Sequence, residues 1–112
     1  DGSDKILLGY KGTETNLTLP SCITKIHDNA FYNCISLTSV TICNSVTSIG
    51  ADAFYFCNNL ASVEFINTEG WSRYSSSTET SGTAINSSDL EDNAKAATLL
   101  KSTYYNYYWK RG

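Results

Sequence analysis

Residues 37–60 read LTSVTICNSVTSIGADAFYFCNNL, and residues 14–37, ETNLTLPSCITKIHDNAFYNCISL, carry the same apolar pattern. Leu17, Leu19, Ile23, Ile26, Ala30, Phe31, Cys34 and Leu37 recur, each at i + 23, as Val40, Ile42, Val46, Ile49, Ala53, Phe54, Cys57 and Leu60. A third copy opens with Val63 and Phe65. Self-similarity at a fixed interval of about 20–29 residues, built on an apolar-x-apolar strand, is the mark of stacked coils that cannot bury their apolar edges singly. The recurring positions therefore face inward, and the residues between them face out.

Leu17-Thr18-Leu19, Val40-Thr41-Ile42 and Val63-Glu64-Phe65 alternate as short strands should, and at one period they predict a parallel sheet. Pro20 ends the first strand, and Cys43 and Ile66 hold that place later. A second apolar pair, Ile23 with Ile26 and Val46 with Ile49, marks a bend. Asn29 and Asp52 then stand as N-cap types before a predicted helical turn, so each coil reads as strand, bend, short helix and return. Residues 5–16, with Ile6, Leu7, Leu8, Tyr10 and then Lys11-Gly12, predict a hairpin entering the first whole repeat. The start Asp1-Gly2-Ser3-Asp4 resembles a cut end, and the array is expected to continue upstream in a longer parent.

From Asn67 the pattern changes. Trp71-Ser72-Arg73-Tyr74 leads into a Ser, Thr and Gly-rich stretch from Ser75 to Thr83 that predicts a hairpin or a long polar loop. Ser88 and Glu91 have the form of a capping box, and Leu90, Ala94, Ala97, Leu100 and Tyr104 share one face of a helix predicted over 89–103. The aromatic tail from Tyr104 to Trp109 either finishes that helix or runs back as an edge strand. It either covers the open end of the array or stacks on sugar rings, and Tyr32, Tyr55 and Phe56 pose the same choice on the opposite side.

The chain of 112 residues is long enough for one compact domain or one short capped array. Its net charge is -3, with eight Lys plus Arg and eleven Asp plus Glu, and the cations are scattered. This pattern argues against nucleic acid as a partner. There is no run of 18 apolar residues to span a membrane and no signal-peptide pattern. Abundant Ser, Thr and Asn with sparse Lys and Glu fit an extracellular surface.

Four cysteines, Cys22, Cys34, Cys43 and Cys57, invite a disulfide framework, but Cys34 and Cys57 hold the same inward place in successive coils. Coils about 4.8 Å apart leave parallel Cβ atoms roughly 1 Å beyond disulfide separation, so both read as buried thiols. Cys22 and Cys43 lie two positions out of register, and their pairing stays open. His27, the only histidine, reads as a solvent-facing turn residue, with no partners signalled for nucleophilic catalysis. The spacing of Cys22, His27, Cys34 and Cys43 matches no compact zinc site. Asp89, Glu91 and Asp92 lack a calcium loop and suit a helix start. Asn16-Leu17-Thr18 and Asn86-Ser87-Ser88 match the glycosylation pattern, which matters only in a eukaryote.

The unit Leu37-Thr38-Ser39-Val40-Thr41-Ile42, with Ser45-Val46-Thr47-Ser48-Ile49-Gly50 and Ala53-Phe54-Tyr55-x-Cys57, resembles the BspA-type leucine-rich repeat of bacterial and protozoan surface proteins. The copy containing Leu19-Pro20, Ile23-Thr24-x-Ile26, Ala30-Phe31 and Cys34 fits the same template, so the resemblance covers residues 17–66. Residues 71–109 more loosely resemble a segment found after such arrays in gut-associated bacteria. The resemblance implies a secreted or cell-surface protein that adheres to host or cell-surface macromolecules, without catalytic residues. The chain departs from the template at Cys43, in place of Pro, and at His27, in place of the Gly found at position 50. The second departure predicts a shared positive φ, which His tolerates better than most residues.

The expected fold is α/β, a right-handed leucine-rich repeat solenoid with short parallel strands and an α/β C-terminal cap. It divides into 1–16 (hairpin and incomplete repeat), 17–66 (repeats) and 67–112 (cap with one helix). The expected ligand surface is the outward set Asn16, Thr18, Ser39, Thr41, Ser62 and Glu64, presented to a protein, glycoprotein or glycan by a monomer that needs no cofactor. The alternatives are an aromatic sugar platform of Trp71, Tyr105, Tyr107 and Trp109, or a purely structural spacer and cap.

Overall fold

The structure, a computed structural model, describes residues 6–7, 9–10, 14–20, 23–76, 78–79 and 81–111. Along them run β1 (Ile6–Leu7), β2 (Asn16–Thr18), β3 (Lys25–Ile26), β4 (Ser39–Ile42), β5 (Ser48–Ile49), β6 (Ser62–Phe65), β7 (Trp71–Tyr74) and β8 (Thr83–Ala84). Helices α1 (Ser87–Glu91) and α2 (Asn93–Thr98), a π-helical turn (Leu99–Thr103) and β9 (Tyr108–Arg111) complete the order. No helix among the described residues is long and apolar enough to cross a membrane.

The predicted parallel sheet is present as β2, β4 and β6, in the register the repeat dictates: Leu17 pairs with Val40 and Val40 with Val63, and Ile42 pairs with Phe65. All eight inward positions of the second repeat, Val40 to Leu60, are buried. In the first repeat Leu17, Ile23 and Cys34 are only half-buried, because that coil has the smaller neighbour.

The rest of each coil differs from the expectation. The second apolar pair leads into a strand, not merely a bend: Ile26 pairs with Ile49 and Lys25 with Ser48 in a second sheet, ordered β1-β3-β5-β9-β7-β8. The helical turns expected after Asn29 and Asp52 are successive β-turns. Ala30, Tyr32 and Cys34 donate to the carbonyls of His27, Asn29 and Phe31, while the intervening Asn29, Phe31 and Asn33 donate across to Ala51, Ala53 and Tyr55 at 2.7–3.1 Å. Every other N–H is thus committed to the next coil, which an α-helix, closing its bonds on itself, cannot allow. Asn29 and Asp52 are left-handed residues (φ 60° and 58°), as are Asn33 and Phe56 (φ 61° and 63°), and they are not helix caps.

The predicted hairpin at the start gives way to a short coil. β1 joins the second sheet and β2 the first, so they do not pair with each other. Leu7 pairs with Ile26, which makes this first coil shorter than the repeats, and Tyr10 takes the place of the repeat phenylalanine, its ring 5.5 Å from that of Phe31. Phe31 in turn stacks on Phe54 at 4.8 Å. Leu8, Lys11, Gly12 and Cys22 lie outside the described residues, and with Cys22 goes the question of its pairing. Cys43 carries a free thiol that donates to the Leu19 carbonyl at 2.6 Å.

Gly50 and His27 share no positive φ. Glycine is required at 50 by close approach, since a Cβ there would lie 2.5 Å from the Asp28 nitrogen and 2.8 Å from its Cα. The Asp28 carboxylate occupies that space to accept from Ala51 N–H at 3.1 Å. His27 faces the shorter N-terminal coil and is exposed, which leaves room for a side chain.

The tail is where topology adds most. β9 lies inside the second sheet, antiparallel to both β5 (Ile49 with Trp109) and β7 (Arg73 with Trp109), and is neither an edge strand nor an extension of the helix. β7 and β8 form the predicted hairpin. The single helix expected over 89–103 is broken at Asp92, which is extended (φ −94°, ψ 108°) and caps α2 by accepting from Ala94 and Lys95 N–H. Asn86, not Ser88, caps α1, and the Ser88 hydroxyl is turned back to the Asn86 side chain at 2.9 Å. The break shifts the phase, so Leu90, Ala96, Ala97 and Leu100 are buried while Ala94 is exposed. This segment packs on β6, and Lys101 Nζ donates to the Leu60 carbonyl at 2.6 Å.

Gly50→Ala should destabilise the protein by about 1–3 kcal/mol in denaturant melts, because the new methyl group meets the Asp28 backbone as well as its carboxylate, and the backbone cannot swing aside. Burial pushes the Cys57 thiol from its ordinary 9.0 up to about 11, and raises that of Cys34 as well. The native state therefore keeps Cys57 protonated where the unfolded chain would ionise it. Its contribution is whole below pH 9 and fades by about 3 kcal/mol between about pH 9 and 11, at about 1.36 kcal/mol per unit. Unfolding of wild type and Cys57→Ala across that range checks it, since the loss attributable to the thiol should be present in the wild type and missing from the variant.

Candidate functional site

The register that aligns the inward residues also aligns the outward ones. Asn16, Ser39 and Ser62 form one row across β2, β4 and β6, and Thr18, Thr41 and Glu64 form a second. Side chains two apart on a strand share a face, so all six predicted binding residues lie on the outer face of the three-stranded sheet. Asn16, Thr18 and Glu64 are exposed, and Ser39, Thr41 and Ser62 half-buried.

Within the first row, Asn16 and Ser39 are tied to each other. Ser39 Oγ donates to Asn16 Oδ1 at 2.6 Å, and beside it Thr38 Oγ1 donates to the Thr15 carbonyl at 2.9 Å. Such bonds hold short side chains in place before any ligand arrives, which lowers the ordering cost of binding. The face offers hydroxyls and an amide with a single carboxylate, Glu64, at one side. The chemistry these groups can offer is hydrogen bonding.

The four residues of the alternative platform are not brought together. Trp71 and Trp109 are 2% and 1% exposed, so neither indole has a face for a sugar. Trp109 stacks on Phe65 at 5.9 Å, Trp71 meets the same ring edge-on at 5.5 Å, and their N–H groups reach the carbonyls of Tyr104 and Asn67. Tyr107 packs against Tyr104 with the Arg73 guanidinium over both rings. Tyr105 lies elsewhere, stacked on Tyr55 at 4.5 Å. Composition marks all four as aromatic but carries no sign of which side of a strand they occupy, and the strand containing Trp109 pairs with Ile49, far back in the chain.

The remaining candidates have local roles. Asp92 is occupied in capping, and Asp89 pairs with Lys95 at 3.2 Å. His27 Nδ1 lies 3.3 Å from the Asp28 carbonyl. The Cys57 thiol donates to the Phe31 carbonyl at 2.9 Å. Among the described residues, no three His, Cys, Asp or Glu side chains gather as metal ligands.

Comparison with known families finds a match to the family described as BspA type leucine rich repeat region (6 copies), over residues 10–106. The match extends beyond residues 17–66 in both directions, taking in Tyr10 and most of the C-terminal segment. No curated protein and no solved structure matches the chain.

Because Thr41 projects from the central strand away from the core, Thr41→Arg should change stability by no more than about 0.5 kcal/mol. Cooperative unfolding at an unchanged midpoint is the expected result. An unfolded variant would mean that the two faces of the sheet are exchanged.

Proposed function

The chain belongs to the BspA-type leucine-rich repeat family, and from that premise we propose that it is a non-catalytic binding module of a bacterial secreted or cell-surface protein, adhering to host or cell-surface macromolecules. The observation that carries this reading is the pair of polar rows, Asn16-Ser39-Ser62 and Thr18-Thr41-Glu64, set in strict strand register on one open face. Short neutral side chains at fixed spacing give weak contacts singly. Affinity then comes from many contacts made together along a protein or glycoprotein surface.

In this reading the coils wind in the right-handed sense that connections between parallel strands of one sheet almost always take. Residues 17–66 form the array and residues 67–112 its cap, and the module acts as a monomer. The cap assignment is supported by what the tail does with its apolar surface: Trp71, Trp109, Leu90, Ala97 and Leu100 are all buried, with both indoles against Phe65 of the last repeat strand.

The test is binding of the full chain to a panel of purified extracellular glycoproteins, each with its glycans intact and enzymatically removed. Thr41→Arg and Ser62→Arg should each weaken binding to the responding glycoprotein at least tenfold. Equal binding by wild type and both variants would remove the sheet face as the ligand surface.

A further inference from the structure

Successive β-turns form the third side of each coil, and there the chain departs from its own repeat in one informative way. Asn33 and Phe56 are equivalent, one repeat apart, and each is the third residue of a turn (Phe31–Cys34 and Phe54–Cys57) with φ of 61° and 63°. Asparagine is among the few residues that accept this conformation readily, whereas phenylalanine is a strained occupant. The ring is not drawn there by the core, since Phe56 is 43% exposed. Strain of this kind persists where the surroundings enforce it, and it gathers at binding sites.

Around Phe56 the rings are ordered. Phe56 stacks on Tyr55 at 4.1 Å and 18°, and Tyr55 stacks on Tyr105 from the C-terminal segment at 4.5 Å and 16°. Tyr32, 48% exposed, stands across this row, 5.7 Å from Phe56 at 71° and 5.8 Å from Tyr55 at 62°. Two exposed rings thus meet at a steep angle, held by rings behind them, with the exposed amide Asn33 next to Tyr32 in sequence and the exposed amide Asn58 two residues after Phe56. No Lys, Arg, Asp or Glu occurs from Asn29 to Thr47 or from Ala53 to Val63, the sequence on either side of the exposed rings.

We propose that Tyr32, Tyr55, Phe56 and Tyr105 form a second ligand surface, a platform for a neutral glycan. The apolar C–H face of one pyranose lies on an exposed ring, and its hydroxyls bond to the neighbouring amides and phenol. The cation-poor, amide-flanked chemistry, with Asp52 the nearest charge in sequence, selects this occupant over an acidic glycan, which would require cations. It also disfavours a protein hot spot, where arginine accompanies the aromatics. Rings already locked by stacking lose little freedom on binding, which favours a rigid sugar ring. This surface is separate from the polar sheet face and does not depend on it.

Cellohexaose, chitohexaose and α-mannohexaose are titrated into the full chain and followed by amide NMR shifts, alongside a glycan array containing neutral and acidic members. At least one neutral probe should shift residues 32–33, 55–58 and 105. Phe56→Asn installs the residue already used at position 33, so its Tm should be unchanged or higher, while binding falls at least tenfold. Tyr32→Ala should weaken binding to a similar extent. A silent response to every neutral glycan, or equal binding by wild type and both variants, overturns the proposal. So does a concentration-dependent dimer that Phe56→Asn dissociates, because the patch would then serve a second copy of the chain. Loss of the glycan response in Thr41→Arg but not in Phe56→Asn overturns it too, by placing the sugar on the sheet.

Discussion

The structure rests on one constraint, that each coil must answer the backbone hydrogen bonds of its neighbour at an offset of one repeat. On the turn side this takes the form of an alternation, one N–H closing a turn and the next crossing to the adjacent coil. On the other two sides it is the parallel pairing of β2 with β4 and of β4 with β6, and of β3 with β5. A residue inserted into one coil would misalign all three sides at once. The side-chain columns are consequences of this: Phe31 stacks on Phe54 because their backbones are bonded in register, and the polar rows on the sheet line up for the same reason.

The constraint also explains how the ends are handled. At the N-terminal side a shorter coil still supplies Leu7 opposite Ile26 and Tyr10 against Phe31, so the core columns continue although the sequence interval does not. At the other side the C-terminal segment provides the groups that a further coil would have offered. Asp52 N–H donates to the Tyr105 carbonyl at 2.7 Å, Arg111 N–H to the Thr47 carbonyl at 2.8 Å, and Trp109 pairs with Ile49. The direction of the strand is reversed, yet the segment takes up backbone groups of the last coil at Thr47, Ile49 and Asp52, and the apolar face of that coil is covered by α2 and two indoles.

Aromatic residues show how far burial depends on this arrangement. Trp71 and Trp109, the largest rings in the chain, are enclosed, whereas Tyr32 and Phe56 remain about half in water. The difference lies in which side of the backbone each residue occupies. Phe56 belongs to the outward set of its coil by the same repeat register that puts Phe54 inside.

By itself the sequence determined the repeat interval, the eight inward positions, the three parallel strands and the polar rows on their outer face. All of these follow from side-chain alternation and period, which are local and countable. Only the tertiary structure decided that residues 25–26 and 48–49 are strands and that residues 28–33 and 51–56 are turns and not helix. The same holds for the place of Trp109 in the middle of a sheet and for the need for glycine at position 50. Each of these is set by a backbone partner far away in the chain: Ala51 and Ala53 for the turns, Ile49 and Arg73 for Trp109, Asp28 for Gly50. Apolar period records which way a side chain faces. It does not record which distant N–H or carbonyl completes the backbone, and that choice separated strand from helix and drew Trp109 into the middle of a sheet.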